Sequence, residues 1–179
     1  MYLEPKREII RVPKAPVGRR IGAFAADFMA VWIISVPFTG AGWLQGLVFC
    51  FSWIILRVIL PANNRGQSPG RWLFDLKVLE ARANRIPTLL NLMQRESVAG
   101  LAALLLAAGL GIGLTNGITL VMCITPLMVD GAIAFGDSDY RQAGHDRLAA
   151  TIIAQTQRGF SLDLRIKKFV AKMRRSMRQ

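Results

Sequence analysis

The chain has 179 residues, 53% of them hydrophobic, yet it carries 23 Lys and Arg against 11 Asp and Glu, a formal net charge of +12. The length suits one domain, but the apolar content exceeds that of soluble domains, about 45–50% even with Gly counted. Apolar and basic residues are segregated along the chain, and no basic stretch carries interleaved aromatics or a DNA-reading motif, which argues against a nucleic-acid partner.

Residues 1–20 form a basic segment with six basic and two acidic side chains, expected to lie in the cytoplasm. The first apolar block, 21–38, is long enough to span a bilayer. The basic run before it resembles the start of a signal peptide. However, no small-residue cleavage site follows, and Asp27 interrupts the core, so a retained helix is expected. Thr39-Gly40-Ala41-Gly42 suits a tight turn into a second span, 43–60, with Trp43 and Arg57 as interfacial anchors, the arginine snorkelling from the last turn.

Residues 61–97 are too polar to cross. They open with the turn cluster Asn63 to Gly70, continue through an apolar patch at Trp72, Leu73, Phe74 and Leu76, and suggest a short β-hairpin from Lys77, turned by Ala83-Asn84-Arg85. Thr88 to Glu96 reads as a short amphipathic helix leading into a third span, 98–114. There Gly100, Gly109, Gly111 and Gly113 would permit close helix approach. Thr115-Asn116-Gly117 signals a turn, and 118–135 gives a fourth span with Pro126 inside it.

The competing reading joins the last two blocks into one crossing. Charge decides against it: four spans put all three basic segments on one side and leave the two opposite connections without Lys or Arg. The predicted architecture is thus an all-α membrane protein of four transmembrane helices in two antiparallel hairpins, with both termini cytoplasmic. Residues 154–179 form a basic tail, in which Leu162, Ile166, Phe169, Val170, Met173 and Met177 recur at spacings of three and four. Arg165, Lys168, Lys172, Arg175 and Arg178 fill much of the other face, the pattern of a helix on an anionic lipid surface. Docking of that helix on an acidic protein is the rival reading.

Two carboxylates interrupt the spans. Asp27 lies seven residues past Arg20, about two helical turns deeper. Asp130 is placed at a similar depth from the other direction. A charge there costs several kcal/mol unless it is paired, hydrated or protonated, so both are candidate functional groups. The bland reading, an ion pair with Arg57 or Arg20 that fixes helix packing, carries equal weight. His145 is the single histidine, too few for a metal site of the usual kind and without a nucleophile motif around it. Cys50 and Cys123 sit in apolar blocks outside any CxxC pair and read as buried thiols. With no P-loop and no dinucleotide fingerprint, neither an enzyme nor a cofactor is expected.

Arg19 to Asp27, with Arg20 opening the helix, Gly66-Gln67-Ser68-Pro69-Gly70-Arg71, Arg95, and Gly144-His145-Asp146-Arg147-Leu148-Ala149-Ala150-Thr151 together resemble the RDD family of small bacterial membrane proteins. The resemblance runs from about Arg19 to Ile153 and implies Asp146 as the second characteristic aspartate after Asp27. Arg71 stands where lysine is common, Asp75 where glycine is frequent, and Ala150 where glycine usually precedes the threonine. The resemblance also implies a bacterial cytoplasmic or internal membrane, but it settles no activity. The expected role is an accessory or assembly protein binding other membrane subunits and anionic lipid. The alternative is a small-solute or cation transporter, proton-coupled through Asp27 and Asp130, which with four spans would require a homo-oligomer.

Overall fold

The computed structural model describes residues 13, 15–113, 116–136, 142–156 and 161–176. Four helices within it are long and apolar enough to cross a membrane: Val17–Phe38, Gly42–Asn63, Leu89–Gly111 and Gly117–Gly136. The first is α1 (Val17–Ser35) closed by a 3-10 turn, Val36–Phe38. The second begins as α2 (Gly42–Ile54), passes through a π-helical turn at Ile55–Ile59, and ends as the short α3 (Leu60–Asn63). Pro61 has no N–H to return to the Arg57 carbonyl, and the Leu60 N–H bonds back five residues to Ile55, so the wide turn sits where the ordinary ladder fails.

Between the second and third spans lie α4 (Pro69–Leu73) and β1 (Leu76–Glu80). The third and fourth spans are α5 (Leu89–Gly113) and α6 (Gly117–Gly136), followed by α7 (Gly144–Leu148), β2 (Thr151–Gln155) and α8 (Leu162–Ser176). The predicted amphipathic piece before the third span is continuous with it, so Arg95 and Glu96 belong to the spanning helix α5 rather than to a separate short helix. The two-stranded sheet also differs from the expected hairpin. Residues 81–84 do turn, with the Glu80 N–H on the Arg85 carbonyl, but β1 pairs antiparallel with β2, Leu76 opposite Gln155 and Glu80 opposite Thr151.

That pairing bears on the number of crossings. The sheet joins the segment before α5 to the segment after α6, so both lie on one side and the chain between them crosses an even number of times. Two long apolar helices fill that interval, which fits four spans and not three.

Within the spans, Phe28 and Val31 of α1, Phe49 and Trp53 of α2, and Ala99, Ala103 and Ala107 of α5 share one core. The rings of Phe24, Phe28, Phe49 and Trp53 stack or meet edge-on at 5.8–6.4 Å. Small residues let α5 come close: a Cβ on Gly100 would stand 2.7 Å from Trp53 Nε1, and one on Gly109 2.6 Å from Cys123 Cβ, whereas Gly111 faces open space. Cys123 is half-buried, but Cys50 is exposed on the helix surface, contrary to the buried thiol expected there. A small lobe on the β-sheet side packs Leu76, Val78, Leu79, Leu92, Ile152 and Ala154.

The residues entering the two strands are unusual. Asp75 (φ 55°) precedes β1 and Ala150 (φ 49°) precedes β2, both in the left-handed conformation that glycine favours. Their departure from glycine therefore leaves the backbone turn in place and puts side chains on it.

Candidate functional site

Most ionisable residues singled out in the sequence meet in one buried network at the junction of the spans and the lobe. Asp27, fully buried in α1, is held from three directions. Arg57 Nη1 donates to its Oδ2 at 3.0 Å, the Ser68 hydroxyl donates to the same oxygen at 2.6 Å, and the Gly70 N–H reaches Oδ1 at 2.7 Å. Gly70 must lack a side chain here, because a Cβ would strike the Ala23 carbonyl and lie 2.8 Å from the Asp27 carboxyl. Ser68 also caps α4, its hydroxyl accepting from the Arg71 N–H at 3.3 Å.

Arg57 does not snorkel. It is buried, lies over the rings of Trp53 (4.8 Å) and Phe24 (5.3 Å), and donates from Nε to Glu96 Oε2 at 2.7 Å. Glu96 is the hub. Its Oε1 accepts from Arg71 Nη2 at 2.5 Å and from Arg57 Nη2 at 3.4 Å, and Arg95 Nη1 stands 3.4 Å away. Burial and the nearby charges of Arg95 and Arg57 push the Arg71 guanidinium down to about 9, against the opposing pull of Glu96 and Asp27. It remains charged at neutral pH.

Arg95 links this half to a second one centred on Asp146. Its Nε donates to Asp146 Oδ1 at 2.8 Å, while Arg20 binds Oδ2, which also accepts from the Ala143 N–H at 3.2 Å. Burial pushes the Asp146 carboxyl up, but the electrostatic pull of its neighbours, Arg95 first and then His145 and Arg20, outweighs it and holds it well below the usual carboxylate range. Asp130 completes the array from α6, with Oδ1 accepting the His145 N–H at 2.9 Å and Oδ2 lying 2.5 Å from His145 Nδ1.

The structure thus unites Arg20, Asp27, Arg57, Arg95, Asp130, His145 and Asp146. Of the arginines left open for the two aspartates, Arg57 pairs with Asp27 and neither pairs with Asp130, which meets the imidazole instead. The lone histidine therefore has carboxylate partners that no local motif announces. Glu96 and Arg71 were missed as network members. The buried positions Leu92, Arg95, Glu96, Ala99, Ala102 and Ala103 recur at helical spacing, a pattern that marks the inward face of α5 and would have found Glu96. The four arginines Arg20, Arg57, Arg71 and Arg95 balance the four carboxylates Asp27, Glu96, Asp130 and Asp146.

Of the predicted lipid-surface residues, Arg165 and Lys168 are exposed on α8, together with Ile166, Phe169 and Met173. Lys172 and Arg175 lie within α8, while Arg178 lies outside the described residues. Among the described residues no cluster of three or more His, Cys, Asp or Glu could hold a metal.

The RDD family model matches residues 14–150, which contain the whole network. Comparison with curated proteins and with solved structures gave no match.

Proposed function

The chain belongs to the RDD family and is a multi-pass membrane protein, and from that premise we propose that it is an accessory or assembly subunit that packs against other membrane proteins. The observation that supports this most is the isolation of the fourth span. The first three candidate spans bury 28%, 22% and 33% of their apolar windows, and Gly117–Gly136 buries 6%. Helix α6 leans on α5 and α7 and leaves Ile118, Val121, Met122, Met128, Val129 and Phe135 exposed around it. Lipid can cover such a face, but so can a helix of another subunit, and Thr125 and the open Gly131 on α6 would allow close contact.

The network fits the same reading. Asp27 has three donors and Asp146 is bound by two arginines, so neither resembles an unpaired carrier. The basic α8 would rest on anionic lipid of the cytoplasmic leaflet, with Ile166, Phe169 and Met173 entering the interface and Arg165 and Lys168 at the headgroups.

Purification of the tagged full chain from native membrane in mild detergent tests the reading. A stoichiometric membrane partner is expected, lost when Val121 and Met128 are both replaced by Trp and weakened when residues 161–179 are removed. Solitary behaviour of the wild-type chain counts against it. Proton-coupled transport is the second reading, supported by the contact of Asp130 with a titratable imidazole. Flux in proteoliposomes that persists unchanged in Asp27→Asn and Asp130→Asn would remove those carboxylates as carriers.

A further inference from the structure

His145 faces charged groups of both signs. Nδ1 lies 2.5 Å from Asp130 Oδ2, while Nε2 lies 3.4 Å from Arg95 Nη2 and 3.3 Å from Asp146 Oδ1. A guanidinium only donates and an ionised carboxylate only accepts. The neutral ring satisfies both sides in one tautomer alone, with the proton on Nδ1 toward Asp130 and the Nε2 lone pair toward Arg95.

The groups facing the ring can be taken element by element. Helix α7 supplies Asp146 and carries Arg147, which is exposed; α6 carries Asp130 as its one ionisable side chain apart from Cys123; α5 carries only Arg95 and Glu96; and β2 carries none. Arg20 of α1 acts through Asp146. With a neutral ring the four arginines and four carboxylates balance, and a second ring proton adds one positive charge to the interior of the lobe.

We propose that His145 is a proton-binding site whose occupancy switches the ring from Arg95 to Asp146 and so weakens the tie of α7 to α5. A proton on Nε2 removes the acceptor that Arg95 Nη2 uses and replaces it with a like charge. The same proton gives the ring a donor toward Asp146 Oδ1, the oxygen that Arg95 Nε already occupies. The bond to Asp130 survives in either state, because Nδ1 donates throughout. Protonation therefore strengthens the tie of α7 to α6 at the expense of the tie to α5. Arg95 is the sole bridge between the Asp146 half and the Glu96 half among the described contacts, and its Nη1 already lacks a hydrogen-bond acceptor. Arg95, which then shares Asp146 Oδ1 with the ring, has Glu96 on its other side as the alternative partner. The signal of one proton is thus a choice of partner by one arginine, and it holds whether the protein assembles subunits or moves solute.

As the sole histidine, His145 can be read directly in the full chain in nanodiscs labelled with 15N-histidine. Imidazole nitrogen shifts, followed from pH 8 to pH 5, are expected to report the neutral ring as the Nδ1–H tautomer and to show its conversion to the imidazolium. Hydrogen exchange of the 142–150 segment, corrected for intrinsic exchange, should change over the same pH range. Removing the opposing charge in Arg95→Gln should raise the midpoint by about one pH unit or more. Asp130→Asn, which removes the favourable charge, should lower it by a similar amount, and Arg85→Gln, at an exposed pair, should leave it in place. Should Arg95→Gln fail to fold, Asp130→Asn and the wild-type tautomer carry the test. An Nε2–H tautomer at pH 8, a ring whose charge is constant from pH 5 to 8, or 142–150 exchange that ignores the transition would each overturn the proposal.

Discussion

Glu96→Gln removes the one carboxylate that three arginines approach while keeping side-chain shape. The glutamate accepts from Arg57 Nε at 2.7 Å and from Arg71 Nη2 at 2.5 Å, and Arg95 Nη1 lies 3.4 Å away. Glutamine retains one acceptor oxygen and turns an NH2 donor toward guanidinium donors. Three buried positive charges then face Asp27 and a shared Asp146. Removing one member of a buried ion pair costs about 3–5 kcal/mol, because the partner's charge is left uncompensated. At roughly 2–4 °C per kcal/mol for a chain of this size, the melting midpoint should fall by about 6–20 °C. The control is Glu80→Gln, whose partner Arg85 is 67% exposed, and it should cost no more than about 1 kcal/mol. In the Glu96→Gln background, Arg71→Met should restore part of the loss by removing a stranded charge. Thermal unfolding in one mild detergent, followed by circular dichroism, measures all four proteins. A Glu96→Gln midpoint within the range of Glu80→Gln, or no recovery with Arg71→Met, would refute the assignment of Glu96 as hub.

Other expectations follow from backbone and charge. Ala150→Gly should raise the midpoint by a few degrees: relief of the left-handed alanine is worth about 1–2 kcal/mol, less the entropy that glycine adds to the unfolded chain; a lowered midpoint would show that no strain was held there. Gly70→Ala should cost at least about 2–3 kcal/mol, since its Cβ meets the Ala23 carbonyl and the Asp27 carboxyl, whereas Gly46→Ala, with nothing within 4 Å, should stay within about 0.5 kcal/mol by the same unfolding assay. Asp146 has a folded-state pKa below its unfolded one, so its contribution is present above about pH 4 and lost as pH falls below it. Acid titration should show a wild-type stability loss below that pH that is smaller in Asp146→Asn, where the other paired carboxylates of the network still remain to be protonated.

The spans were legible because hydropathy and the three basic segments agree, and Asp27 and Arg57 stood out as charges against an apolar background. Glu96 was hidden by the same method. Together with Arg95 it ended the polar interval, so α5 was divided at the point where it carries its inward-facing charges. The strand partner of β1 was equally out of reach, because the turn at Ala83 to Arg85 offers a local return while Thr151–Gln155 lies across two spans. His145 near Asp130 depends on where α6 ends relative to α7, and no local pattern encodes that distance. The pair Asp27–Arg57 was one of four pairings the sequence left open, Asp27 or Asp130 with Arg57 or Arg20, because nothing in it sets the rotation of one helix against another.

The order in which charges occur along the chain has a consequence for biogenesis. Asp27 and Arg57 arrive in the first hairpin and can neutralise each other before any later helix is made. Helix α5 then brings Arg95 beside Glu96, a pair of adjacent opposite charges. The last hairpin brings Asp130, and His145 and Asp146 emerge behind it to close on Arg20. Helices carrying ionisable groups thus enter the bilayer in steps that need add little net charge, and only the final exchange of partners waits for the end of the domain. A nascent chain halted before α7 would hold its four spans yet leave Asp130 without His145 and Arg95 without Asp146, an intermediate suited to recognition by quality-control machinery.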